Sequence, residues 1–186
     1  MNLPSFTPSG VLPPFVGDPT FNARSPYAVG MSDVVHRFGT TARRRAILRG
    51  LLEYRGELRR IGVATAFQWL DGSFAENLAR EPNDIDLVTF AEQIPPFASL
   101  GRDEKALFQP AETKRRFLCD AYLVQLSTTS KAKLVERVSY WLGLFSHRRV
   151  TLEWKGILQV NLDDARQDDD AIDTLDLLDV QGIMES

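Results

Sequence analysis

An apolar run at 63–70 (VATAFQWL) breaks at Asp71-Gly72-Ser73, and a second run at 83–90 (NDIDLVTF) opens with two aspartates. Runs of this length, rich in β-branched and aromatic residues and bounded by turn formers, read as strands. Glycine permits the sharp turn between them, and 74–80 (FAENLAR) reads as one or two turns of helix. Side chains alternate along a strand, so Asp84, Asp86 and Val88 share one face while Ile85 and Leu87 take the other. A strand, a glycine turn and a second strand presenting paired carboxylates predict a small α/β (α+β) domain, with a mixed sheet of about four to five strands and flanking helices.

The remaining segments supply those elements. Prolines 4, 8, 13, 14, 19 and 26 make residues 1–30 an extended arm, with Leu12, Phe15 and Phe21 as its anchors. Residues 31–186 form the single domain. Ser32 is expected to cap a short helix and Thr41 a long one, in which Ile47, Leu51, Tyr54, Leu58 and Ile61 recur at helical spacing before Gly62. Residues 91–112 hold Pro95, Pro96, Gly101 and Pro110 and read as a loop with a helical turn near 104–108. A third strand at 117–126 (FLCDAYLVQL) is apolar apart from Asp120. An amphipathic helix at 131–145 follows, then alternation over 152–162 with Leu152, Trp154, Leu158 and Val160 on one face, and a helix near 170–179.

An aspartate inside a buried strand is costly unless partnered, and three on neighbouring strands repel one another unless a cation lies between them. One cysteine, Cys119, and two histidines rule out an internal disulfide and an all-Cys/His zinc cage. Carboxylates therefore have to hold any metal, and Mg²⁺ (or Mn²⁺) suits such hard oxygen donors. At Gly72-Ser73 the backbone comes close enough to meet a phosphate, at the start of the following helix.

Gly72-Ser73 followed by Asp84-Ile85-Asp86, with Asp120 in a later apolar strand, resembles the DNA polymerase beta-like nucleotidyltransferase superfamily. The string LDGSFAENLAREPNDIDLV looks like that of short bacterial proteins in this superfamily, and the resemblance covers roughly residues 60–126. It implies that Asp84 and Asp86 bind metal, that Asp120 completes a second metal position and orients or deprotonates an acceptor hydroxyl, and that Gly72 and Ser73 hold the nucleotide. Two ions about 4 Å apart then stabilise the attacking and leaving oxygens of an in-line transfer. Many small members carry a basic residue close after the serine. Phe74, Ala75, Glu76 and Asn77 stand there instead, so Arg80 or Lys114 is expected to reach the phosphates.

The expected activity moves an NMP from an NTP to a hydroxyl of RNA, protein or a small molecule, and the short stretch after Asp120 favours single transfer. The alternative is a nucleotide-binding partner protein without turnover, such as the antitoxin-like half of a bacterial toxin–antitoxin or defence module. Formal charge of −3 argues against bulk attraction to nucleic acid or membrane. The arginines of the long helix read as a solvated face or an RNA contact, and the eight aspartates of 163–179 as a wet helix face or a cover for those arginines. With no basic-apolar leader and no run approaching the roughly 18 apolar residues of a membrane span, a cytoplasmic location is expected.

Overall fold

In the computed structural model, residues 3–17 and 24–184 are described, the last three without their side chains; Phe21 lies outside them. The elements run β1 (Tyr27–Ala28), α1 (Met31–Phe38), α2 (Ala42–Arg60), β2 (Ala64–Asp71), β3 (Ile85–Gln93), α3 (Arg102–Ala106), α4 (Pro110–Phe117), β4 (Cys119–Gln125), α5 (Lys131–Phe145), β5 (Leu158–Asn161) and α6 (Ala165–Met184). The strands form one mixed sheet in the order β1-β5-β2-β3-β4. β2 lies antiparallel to both β3 and β5, β3 is parallel to β4, and β1 is parallel to β5.

The central strands β2 and β3 bury both faces by alternation, whereas β1, β4 and β5 keep one face partly open. Leu70, Ile85, Leu87, Cys119 and Ala121 join a core with Leu48, Leu51 and Leu58 of α2 and Leu175 of α6. Trp69, Val88, Phe90 and Val124 face the other way, against Trp141 and Phe145 of α5. Asp71, Asp86 and Asp120 share strand parity with that second set, so they belong to the α5 side of the sheet. Cys119 faces away from Asp120, into the α2 core.

Thr41 caps α2 by accepting from the Arg44 amide, and Gly62, at φ 94°, takes the left-handed turn that ends it. Ser32 is not the cap of α1: Gly30 holds that position, and its amide donates to Asp33 (3.2 Å). The loop read at 91–112 carries more structure than expected. β3 runs on to Gln93, α3 follows, and α4 takes Phe117 from the predicted strand. Residues 74–80 make only a 3-10 turn at Ser73–Ala75, because Glu76 turns extended and its side chain goes to Lys155 and Arg148. Leu152 and Trp154 leave the predicted strand: Leu152 has φ 55°, both are exposed, and β5 starts only at Leu158. Tyr122 is half-exposed against Trp141, whereas Trp69 is a core residue.

The proline-rich arm belongs to the body. Val11 and Leu12 are buried, Phe6 meets Phe38 edge-on (6.0 Å), and the Gly10 carbonyl accepts from the Asn77 amide (2.8 Å). The arginine face of α2 is solvated only in part, because α6 covers Arg45, Arg49, Arg55 and Arg59 while Arg43 and Arg60 stay exposed. Arg45 pairs with Asp179, Arg49 with Asp176 and Asp179, and both Arg55 and Arg59 with Asp168. α6 is correspondingly longer than the predicted 170–179. No helix among the described residues is long and apolar enough to cross a membrane.

Candidate functional site

Strand register builds the site. Asp71, the last residue of β2, pairs with Asp86 on β3, and Asp86 pairs with Asp120 on β4, so three carboxylates stand side by side across adjacent strands. Asp84 sits one residue before β3. With Gly72 and Ser73 they line a cleft of about 450 Å³ at the end of the sheet. Gly72 has φ 80°, and a Cβ there would stand 2.0 Å from an Asp86 carboxylate oxygen, so only glycine lets the turn press against that acid.

Two further segments close the cleft. Because β5 runs antiparallel to β2, the chain entering it brings Lys155 over the end of Asp71. The Lys155 ammonium is 3.0 Å from both Asp71 and Glu76, and it donates to the Gly72 carbonyl (3.3 Å). Arg148 pairs with the other Glu76 oxygen (2.8 Å) and with Glu153 (2.9 Å). Beneath the turn, Arg44 of α2 donates to the carbonyls of Phe74 (2.8 Å) and Glu76 (2.7 Å), and Arg43 to those of Pro82 and Asn83. The buried Arg44 and Lys155, with the exposed Arg43, thus fix the backbone that carries Ser73 and leads to Asp84.

Electrostatics in the row are strained. Burial raises the Asp86 carboxyl above the usual carboxylate range, and the like charges of Asp84 and Asp120 add to it. Burial pushes Asp71 up to about 7, against the opposing pull of Lys155, and the carboxyl oxygen facing that lysine makes no well-directed hydrogen bond. Lys114 of α4 reaches Asp84 and lies 3.8 Å from Asp120.

Of the residues singled out from the sequence, Gly72, Ser73, Asp84, Asp86, Lys114 and Asp120 line this one cleft. Arg80 does not; it is exposed on the loop between β2 and β3. Among the described residues no three His, Cys, Asp or Glu side chains converge as a cation cage, and the Lys114 ammonium bridges Asp84 and Asp120 instead. The donor set fits a hard divalent ion held by one or two carboxylates, with phosphate oxygens completing its shell. Asp71, Glu76, Arg148, Arg149 and Lys155 were assigned no role from sequence. The strand-ending Asp71 beside Gly72 was a visible signal; the other four arrive through long-range pairing.

A carboxyl raised by burial stabilises the fold while it is protonated and loses that contribution as pH climbs from the unfolded value toward the folded one. Asp71 therefore favours the fold most below about pH 4 and loses its contribution on the way to about pH 7. Thermal unfolding of Asp71→Asn should lack this component: native chain should gain relative to the variant when pH drops from 8 to 5.

Fold and site define a mixed α/β domain with an acid-lined, base-rimmed cleft at the end of its sheet. The chain belongs to a family of unknown function, DUF6932, which matches it over residues 4–161; that span holds the whole cleft and stops short of α6. No curated protein and no solved structure matches it.

Proposed function

We propose that the cleft is a Mg²⁺-dependent (or Mn²⁺-dependent) nucleotidyltransferase site that moves an NMP from an NTP to a hydroxyl of RNA, a protein or a small molecule. The observation carrying this reading is the register that sets Asp71, Asp86 and Asp120 abreast, next to a glycine turn pressed against Asp86. The resemblance of Gly72-Ser73 and Asp84-Ile85-Asp86 to the nucleotidyltransferase superfamily adds the reaction class.

In this reading Gly72 and Ser73 receive the phosphates, and Asp84, Asp86 and Asp120 supply the oxygen donors for the metal. A divalent cation held there would neutralise charge on the phosphates and on the departing pyrophosphate. The acceptor oxygen attacks the α-phosphorus, the bond to pyrophosphate breaks, and the hydroxyl proton passes to Asp120. Lys114, paired with Asp84 and 3.8 Å from Asp120, offsets the charge of those acids beside the phosphates.

Asp84, Asp86 and Asp120 cluster where the phosphates would bind, so a bare triphosphate meets like charge there. Binding of an NTP, followed by calorimetry, should therefore require Mg²⁺, and chelation should weaken it by about tenfold or more. Equal binding with and without the metal would defeat the metal-site reading.

A second reading, the nucleotide-binding partner protein without turnover, draws support from apolar residues exposed on α5 and the 147–154 loop: Leu142, Val150, Leu152 and Trp154. It predicts NTP binding without transfer.

A further inference from the structure

The superfamily resemblance leaves a gap, since no basic residue follows Ser73 and Arg80 stands outside the cleft. Four permanent cations line that cleft, and three are committed within the protein. Lys155 is held by Asp71 and Glu76, Arg148 by Glu76 and Glu153, and Lys114 by Asp84 and Asp120. Arg149 is exposed and forms no ion pair or side-chain hydrogen bond among the described residues, yet it lines the same cleft as Asp86 and its charge acts on that carboxyl.

The loop bearing it is built to hold it there. Arg148 donates to Glu76, to Glu153 and to the Ser9 carbonyl (2.8 Å), tying the loop to both the glycine turn and the N-terminal arm. Arg148 and Glu153 are joined through the backbone (3.0 Å), the Leu152 amide returns to the Arg148 carbonyl (2.9 Å), and His147 forms a bridge with Trp154. One arginine anchors the loop while its neighbour, unpaired among the described residues, lines the cleft.

Resting on the nucleotidyltransferase reading, we propose that Arg149 grips the phosphate chain of the nucleoside triphosphate, supplying from the 147–154 loop the cation missing after Ser73. A guanidinium offers a planar fork of donors that matches phosphate oxygens, and an otherwise acidic cleft makes that charge the point of attraction for an incoming anion.

The test is calorimetric binding of the four Mg–NTPs to the full chain, with Arg149→Ala, Arg149→Lys and, as an exposed control on α5, Arg137→Ala. Loss of one charge-assisted contact should weaken NTP binding by Arg149→Ala about tenfold or more. Arg149→Lys should recover part of that loss, Arg137→Ala should bind like the native chain, and the thermal midpoint of Arg149→Ala should not move. If the native chain binds an NTP and Arg149→Ala binds it equally, this inference is overturned while the nucleotide site stands. If the native chain binds none of the four, the underlying reading fails and the inference falls with it.

Discussion

Asp168→Ala is expected to cost about 3–5 kcal/mol of stability, the penalty typical of leaving one partner of a buried ion pair uncompensated. Arg55 is fully buried and Asp168 nearly so, with side-chain exposures of 0% and 2%. Arg55 donates to both oxygens of Asp168 (2.8–3.0 Å), to Gln68 (2.7 Å) and to the Asn161 carbonyl (2.7 Å), and Arg59 adds a bond to Asp168 (2.6 Å). Gln68 in turn donates to Thr89 (3.0 Å), so one network ties α2 and α6 to β2, β3 and β5. Removing the carboxylate strands a guanidinium in the core and releases α6 from α2. For a chain of this size the thermal midpoint should fall by about 10 °C. Asp176→Ala, breaking an exposed pair with Arg49, should cost less than about 1 kcal/mol. Denaturant titration of the two variants separates these outcomes, and equal small effects would show that α6 is not held by its buried pair.

Asp86→Ala should do the reverse, sparing the fold and removing activity. Burial and the charges of Asp84 and Asp120 disfavour its ionised form, so alanine relieves a conflict and the thermal midpoint should stay level or rise. Turnover should fall by at least about a thousandfold, since the carboxylate central to the row is the proposed metal donor. A variant equally stable and fully active would remove Asp86 from the chemistry.

Local signals carried the parts of this fold that local physics decides. Alternation placed Asp86 on one face of β3 and Leu87 on the other, and Thr41 and Gly62 marked the ends of α2. Glu76 did not extend a helix because its carboxylate is claimed by Lys155, far along the chain, and no window around Glu76 contains that partner. For the α2 arginines the sequence left two readings open, and it is the cover by 163–179 that the pairs of Arg45, Arg49, Arg55 and Arg59 with α6 bear out. Gly72, Ser73, Asp84, Asp86 and Asp120 were legible through spacing. The Arg148–Arg149–Lys155 wall was not, because the antiparallel pairing of β5 with β2, not any motif, delivers it to the cleft.

Transfer itself is the most direct test of the central claim. Native protein would be incubated with each α-labelled NTP, Mg²⁺ or Mn²⁺, and RNA, protein and small-molecule acceptors, with Asp84→Ala/Asp86→Ala alongside. Label joined covalently to an acceptor by the native chain, and lost in the variant and on chelation, is the predicted result. NTP binding without transfer to any acceptor, or equal labelling by the variant, would contradict it.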